Sequence, residues 1–234
     1  VPDVGNNRVL IWNTLPTVNN QSPDVVIGQP DMTSMTGNNT ALANAAKLSG
    51  PYAVASDGTR LVVADYGNHR VLIYNTIPTV NGASADLVLG QASVNAFSGS
   101  NRGTTVAANS LSSPIGVYTD GTKLYVADAN NNRVLVWNTF PTVDSQVPDF
   151  VLGQANLTSS SVNRGTTVAA NSLNNPRSII EAAGKLIITD YGNHRILVWN
   201  TLPNSSGVAA DVAIGQPSLT ANTAGVTAST ISAP

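Results

Sequence analysis

The chain has 234 residues, of which 10% are charged, and a formal net charge of -2 at pH 7. This length is sufficient to bury the core of a single domain. Because charges are few and slightly acidic in balance, we expect neither a nucleic-acid surface nor a basic membrane patch. No apolar run approaches the ~18 residues of a spanning helix, which excludes membrane insertion by such a helix. The absence of cysteine excludes disulfides and thiol catalysis.

The composition also bears on location. The sequence does not begin with Met and contains no signal-peptide pattern, so we expect it to be processed or excised from a longer chain. Asn, Thr, Ser and Gly are abundant, whereas there is a single glutamate and very little lysine. This composition is typical of bacterial extracellular surfaces and predicts an extracellular or cell-surface location.

Three landmarks recur along the chain at steps of 62 or 63 residues. An aspartate opens a turn, an arginine closes it, and a Gly-Gln pair follows. The aspartates are Asp3, Asp65, Asp128 and Asp190. The arginines are Arg8, Arg70, Arg133 and Arg195. The Gly-Gln pairs begin at Gly28, Gly90, Gly153 and Gly215. Self-similarity at a fixed period of this size indicates a repeat architecture.

Each repeat is predicted to contain four short β-strands, A to D. In the third repeat, strands A and B flank an Asp-Gly dipeptide typical of hairpins, strand C follows an Asn-rich turn, and strand D follows a proline-containing connection. These strands are predicted at 115–119, 124–127, 133–137 and 150–153. The middle strands are continuously apolar, which predicts that both faces are covered. The pattern favours an all-β propeller of antiparallel blades, with a solenoid as the alternative.

In chain order, the repeats predict a single propeller domain, or a segment of one, over residues 1–234. A half blade at 1–29 precedes complete blades at 51–91, 114–154 and 176–216. Long inserts between strand D and the next strand A occupy 30–50, 92–113 and 155–175, and a tail covers 217–234. About three and a half blades cannot close a ring in the usual manner. We therefore expect either a longer propeller or a homo-oligomer that closes through another copy.

The inserts are Ala-rich, and two of them contain one identical stretch, at 101–111 and 163–173. We expect a short helical turn in each, pinned by Leu48, Leu111 or Leu173. Because strands alternate in direction, the inserts and the B–C turns should lie on one face of the disc, called here the insert face. The A–B turns and the C–D connections should lie on the other.

The B–C turn carries a family resemblance. Residues 66–71 and 191–196 read Tyr-Gly-Asn-His-Arg followed by Val or Ile, and the turns at 5–9 and 130–134 have Asn in place of His. These turns resemble the Asn-His-Leu (NHL) repeat signature, together with the upstream Pro-x-x-Val and Val-Ala-Asp. The resemblance covers essentially the whole chain and implies a β-propeller of the bacterial, long-repeat, extracellular type. That family includes binding modules, surface proteins and some lyases, so the resemblance leaves function open.

Most of the charged residues have a structural explanation. The recurring Asp–Arg pairs are interpreted as clamps on their turns or on neighbouring blades, rather than as a ring of charges around a ligand. His69 and His194, the only histidines, are either turn residues or ligand contacts. Arg102 and Arg164, in the duplicated stretch, are the charges least explained by packing. These two arginines and the two histidines are the binding candidates on the insert face.

Related metal-dependent lyases and lactonases gather ligands around the propeller axis, where strand A should lie. Here strand A contributes Glu181 alone, without a second carboxylate in the equivalent positions. We therefore predict no catalytic residues, no metal and no cofactor. The favoured function is a non-catalytic module that binds a protein or glycan or serves as a scaffold. The alternatives are a self-assembling surface polymer or homo-oligomer and, third, a metal-dependent lyase or lactonase.

Overall fold

A computed structural model describes residues 1–36 and 44–234, and these residues form four antiparallel sheets joined by loops and short 3-10 turns. Blade 1 contains β1 (Pro2–Asp3), β2 (Arg8–Ile11) and β3 (Val25–Ile27). Blade 2 contains β4 (Pro51–Ser56), β5 (Leu61–Asp65), β6 (Arg70–Tyr74) and β7 (Leu87–Leu89). Blade 3 contains β8 (Pro114–Thr119), β9 (Leu124–Asp128), β10 (Arg133–Trp137) and β11 (Phe150–Leu152). Blade 4 contains β12 (Pro176–Ala182), β13 (Lys185–Asp190), β14 (Arg195–Trp199) and β15 (Val212–Ile214).

Within each sheet the strands follow one another in sequence order, so every connection is between neighbours. The registers repeat as well. Asp65 pairs with Arg70 across the B–C turn of blade 2, and Asp128 pairs with Arg133 in blade 3. The predicted fold class, an all-β chain of antiparallel propeller blades in repeats of ~62 residues with long inserts, is confirmed.

The hydrophobic core lies in layers between consecutive blades. Because successive residues of a strand face opposite sides of the sheet, Leu61 and Val63 of β5 pack toward blade 1. The residues between and after them, Val62 and Ala64, pack toward blade 3. The third layer joins blades 3 and 4 in the same way. Each fully buried aliphatic or aromatic side chain contributes about 1.5–3 kcal/mol. The continuous apolar runs of the middle strands therefore stabilise two interfaces at once.

Each B–C connection is a three-residue 3-10 turn followed by one residue in the left-handed conformation. That residue is Asn7, His69, Asn132 or His194, with φ between 52° and 55°. Side chains of Asn and His tolerate this region better than most, since they form local hydrogen bonds. The restriction explains why this position carries only Asn or His.

The inserts differ from the predicted helical turns. The Ala-rich ends form single hydrogen-bonded turns, closed by the Ser110 N–H on the Ala107 carbonyl and by the equivalent pair in the next insert. The 3-10 turns lie earlier, at Ser100–Gly103 and Val162–Gly165. The early part of the first insert, at 37–43, lies outside the described residues. The three predicted leucines are buried. A Cβ on Gly90, whose φ is +90°, would lie 2.7 Å from Leu111 Cδ1. The absence of a side chain at Gly90 therefore leaves the space in which Leu111 packs.

The C–D connections do not remain on the face opposite the inserts. The N–H of Gly82 donates to the Val26 carbonyl of the preceding blade at 2.9 Å, and Asn81 Oδ1 accepts from the Val26 N–H at 3.0 Å. Ser145 and Gly207 make the same backbone contact from the next two blades. Each connection thus covers the outer edge of the preceding strand D, which would otherwise be open to pairing.

Candidate functional site

The recurring Asp–Arg pairs are buried ion pairs. Arg70 Nε lies 2.7 Å from Asp65 Oδ2, and neither side chain is exposed to solvent. Asn68 Nδ2 also donates to Oδ2, and the Ser49 N–H donates to Oδ1. The pairs Asp128–Arg133 and Asp190–Arg195 repeat this geometry at the same distance, whereas Asp3–Arg8 in blade 1 is partly exposed. The three buried carboxylates are not accessible from solvent, so a ligand cannot reach them.

The arginines of these pairs hold the inserts in place. Arg70 Nη2 donates to the carbonyls of Asn44 and Lys47 in the insert before its blade, and Nη1 donates to Val94 in the insert after it. Arg133 and Arg195 make equivalent contacts. Burial raises the pKa of the Asp65 carboxyl, and the Arg70 guanidinium beside it opposes that shift. The pair therefore fixes the B–C turn and two successive inserts together.

Both histidines accept a hydrogen bond from a backbone N–H of the segment that follows their own blade. His69 Nδ1 accepts from the Ser113 N–H at 3.0 Å, and His194 Nδ1 accepts from the Ala233 N–H at 3.0 Å. In the other two turns the amide oxygen of Asn7 or Asn132 accepts the equivalent N–H. The alternation of Asn with His at one position was a sequence signal for this shared acceptor. The geometry assigns these side chains a structural task on the insert face.

The duplicated arginines differ in their surroundings. Arg102 donates from Nε to the Gly90 carbonyl and from Nη2 to the Asn109 carbonyl and Ser145 Oγ. Ser145 Oγ in turn donates to the Gln91 carbonyl. The guanidinium of Arg164, in the identical stretch, makes no hydrogen bond or ion pair with any residue of 1–36 or 44–234, whereas its backbone N–H donates to the Ser161 carbonyl. The position equivalent to Ser145 is Gly207, which has no side chain to offer.

A polar cavity of about 390 Å³ lies beside Arg164. Its polar lining residues are Gln154, Ser159, Ser161, Arg164, Thr166 and Asn171. A cavity of about 520 Å³ occupies the equivalent place at the first Gly-Gln pair, where Gly82 stands at the Gly207 position. The cavities thus adjoin repeats whose C–D connection carries glycine at this point. Arg102 and Arg164 belong to successive inserts, and none of the four predicted binding residues contacts another through a hydrogen bond in the described chain.

Other polar groups that the sequence singled out are also tied into the fold. Glu181 Oε2 accepts a hydrogen bond from the Tyr125 hydroxyl at 3.2 Å, and its carbonyl accepts from Tyr118. Burial, with the Glu181 charge, raises the pKa of Tyr125. Within the described ranges, no three or more His, Cys, Asp or Glu side chains group together so as to hold a metal ion. No helix in that part of the chain has the length and apolarity needed to cross a bilayer.

An aromatic residue stands at the end of strand C in every blade, and its side chain donates a hydrogen bond in three of the four. Trp12, Trp137 and Trp199 each donate an indole N–H to a backbone carbonyl of their own C–D connection. In blade 2 the residue is Tyr74, whose buried hydroxyl has no hydrogen-bond partner among the described residues. Burial raises the pKa of this hydroxyl. These aromatics pack within the layers between blades or close their own loops.

Comparison with known proteins gives no family. No protein-family model matches the chain, and no curated protein matches it significantly. Solved structures with partial similarity include Myxococcus xanthus glutaminyl cyclase, at 10% identity and a TM-score of 0.38 over 69% of this chain and 53% of that one. A humanized mutant of the Chaetomium thermophilum Polycomb Repressive Complex 2 has 11% identity and a TM-score of 0.40, over 73% of this chain and 32% of that one. A nidogen/laminin complex has 15% identity and a TM-score of 0.30, over 65% of this chain and 60% of that one. The chain spans 32–60% of the length of these chains.

Proposed function

We propose that this chain is a non-catalytic propeller module of the NHL-repeat type that binds an extracellular protein or glycan through its insert face. One observation carries the proposal. Buried arginines such as Arg70 bind carbonyls of two successive inserts, so long loops are held on a rigid scaffold. Loops positioned in this way are a common basis for binding surfaces.

The exposed chemistry of the insert face supports binding rather than catalysis. The recurring charges are buried in ion pairs, and the inserts present hydroxyl and amide side chains such as Thr105 and Thr167. Groups of this kind form hydrogen bonds with sugars and peptides but supply no acid, base or nucleophile by themselves. An extracellular bacterial location agrees with the composition and stays part of the proposal.

The test compares matched variants of the two faces. A screen of protein and glycan ligands first identifies a partner of the unaltered chain. We then compare Thr105→Lys with Thr167→Lys on the insert face against Thr59→Lys with Thr122→Lys in the A–B turns, all four being exposed. The insert-face pair should weaken binding at least about tenfold, or ~1.4 kcal/mol, and the A–B pair should leave it unchanged. Equal loss from both pairs, or loss from the A–B pair alone, would refute the proposal.

A second function, assembly of copies, is supported by the outer face of blade 4. Val212 and Ile214 are 42% and 49% exposed, whereas Leu89, which corresponds to Ile214, is buried against the next blade. A blade from a second copy fits this apolar face and would generate a head-to-tail contact. Light scattering over a wide concentration range should show association that Val212→Lys with Ile214→Lys abolishes. A monomer at every concentration would eliminate this function.

A further inference from the structure

The residues that line the cavity beside Arg164 have the charge and hydrogen-bonding groups of a ligand-binding site, and they indicate the class of ligand. We infer that it binds a carboxylate-bearing, hydroxyl-rich ligand, a uronic-acid residue of a glycan. The inference rests on the proposed function, because it names the ligand class for the same insert face. Its volume of about 390 Å³ falls within the range of about 300–1,000 Å³ that small-molecule sites occupy.

Two inserts contain the same stretch of sequence but surround its arginine differently. The stretch that contains Arg102 and the stretch that contains Arg164 are identical, and one difference in their surroundings comes from the neighbouring blade. In the second repeat the Ser145 hydroxyl occupies the space between Arg102 and the Gln91 carbonyl. In the third repeat Gly207 replaces that serine, no hydroxyl reaches the arginine from this position, and a cavity lies beside Arg164. A Cβ built on Gly207 would lie 4.0 Å from Arg164 Nη1, which places the guanidinium directly beside the missing side chain.

The guanidinium of Arg164 differs from those of the other arginines in its hydrogen bonding. Each of the other seven arginines forms a hydrogen bond, and several also form ion pairs or ring contacts. The guanidinium of Arg164 alone, within 1–36 and 44–234, donates to no protein acceptor, although the residue is partly buried. A partly buried guanidinium with unused donors is a strong binding group for a carboxylate, which it engages with two parallel hydrogen bonds.

Gln154 provides a second, independent observation. This side chain is fully buried and lines the cavity, and its Nε2 donates to the carbonyls of Asn132 and Ser161. Its Oε1 has no partner in the described structure. The equivalent oxygens of Gln91 and Gln216 accept from a backbone N–H at 3.2 Å and 3.1 Å. An unsatisfied buried acceptor is uncommon, and a ligand hydroxyl, or a water that bridges to one, would supply the missing donor.

The charge and chemistry of the lining select among anions. The lining contains one cation and no Asp or Glu, so it matches a single negative charge. A phosphate or sulfate group would normally meet several cations or a row of backbone N–H groups. Ser159, Ser161 and Asn171 can exchange hydrogen bonds with ring hydroxyls. A sugar acid combines one carboxylate with several hydroxyls, and this combination fits the lining as a whole.

The experiment is an NMR titration of the ¹⁵N-labelled chain that follows the Nε–H signals of Arg164 and Arg102. The probes are glucuronate, glucose with the same hydroxyls but no carboxylate, acetate with the carboxylate alone, and inorganic phosphate. Glucuronate should shift the Arg164 signal with a dissociation constant near about 1 mM, whereas the other three probes should bind at least about tenfold more weakly. The Arg102 signal should not move with any of them.

Three variants connect the signal to the cavity. Gly207→Ser should abolish the glucuronate response, because serine reproduces the filled second repeat, where Ser145 adopts a positive φ of 57°. Arg164→Lys retains the charge but loses the bidentate geometry, so affinity should fall about tenfold or more. Ser145→Gly should open the matched space and make Arg102 respond to glucuronate. The backbone amide spectrum establishes that each variant is folded.

The outcomes separate this inference from the proposed function. No response of Arg164 to glucuronate, equal binding of acetate or phosphate, or an unchanged response in Gly207→Ser would overturn the inference. If an identified partner is still lost through Thr105→Lys with Thr167→Lys, the proposed function survives that failure. If glucuronate binds at Arg164 while the insert-face threonines affect no partner, the site stands and the broader surface proposal fails.

Discussion

His69 accepts, through Nδ1, a hydrogen bond from the backbone N–H of Ser113, which lies 44 residues later at the entrance to the next blade. The bond spans a blade interface, and every repeat has a counterpart. In two repeats the acceptor is the side-chain oxygen of Asn7 or Asn132. In the first three repeats, a single acceptor atom therefore couples a left-handed turn residue to the start of the following strand A, and in the fourth repeat His194 accepts from Ala233 in the tail.

The first prediction concerns that acceptor. His69→Ala should lower the free energy of unfolding by about 1 kcal/mol, because the Ser113 N–H loses its partner. His69→Asn should cost much less, since Asn supplies the same acceptor and tolerates the left-handed conformation. Urea denaturation measures both. Equal destabilisation by the two substitutions would show that the hydrogen bond contributes nothing measurable.

The second prediction concerns pH. Burial lowers the pKa of His69 below its ordinary value of 6.5, so the folded chain takes up its proton at lower pH than the unfolded chain. Stability should be complete above pH 6.5 and should fall as the pH drops below that value, toward the folded pKa. Protonation of Nδ1 also removes the acceptor for Ser113. The measurement is the unfolding free energy across this range, with His69→Asn as the control that should lack this component.

The third prediction concerns the buried ion pairs. Arg133→Met should destabilise the chain by about 3–5 kcal/mol, because it leaves the Asp128 carboxylate buried without its counter-charge. The control is Arg8→Met in blade 1. There the pair with Asp3 is partly exposed, so the cost should be about 1 kcal/mol or less. Similar losses from the two variants, measured by denaturant unfolding, would contradict the role assigned to burial.

The fourth prediction concerns Tyr74. Its hydroxyl is buried without a hydrogen-bond partner among the described residues, and such a group costs about 1–3 kcal/mol. Tyr74→Phe should therefore stabilise the chain by about 1 kcal/mol, as a rise in the midpoint of thermal unfolding. Tyr125→Phe is the matched comparison and should destabilise, because it removes a hydroxyl that donates to Glu181. A loss of stability in Tyr74→Phe would mean that a bound water satisfies the hydroxyl.

Several errors and omissions in the sequence-based prediction share one cause. The sequence predicts a helical turn for the Ala-rich stretch, but the structure forms a single turn closed between Ala107 and Ser110, whose carbonyls accept hydrogen bonds from Arg133. The sequence predicts that the C–D connection lies on the face opposite the inserts, but its tip pairs with strand D of the preceding blade. In both cases the partner lies more than twenty residues away, and local propensity carries no information about it.

The sequence by itself determined the repeat, the antiparallel blades and the burial of the middle strands. These follow from short-range properties: a regular spacing, apolar runs of strand length, and turn residues between them. Only the tertiary structure decided which of the two arginines in identical stretches donates side-chain hydrogen bonds to protein acceptors. Arg102 and Arg164 lie in identical stretches, and a residue that differs beside them, Ser145 or Gly207, is contributed by the next blade. The contacts of a side chain depend on what packing brings beside it, and the position that supplies a hydroxyl group to Arg102 supplies none to Arg164.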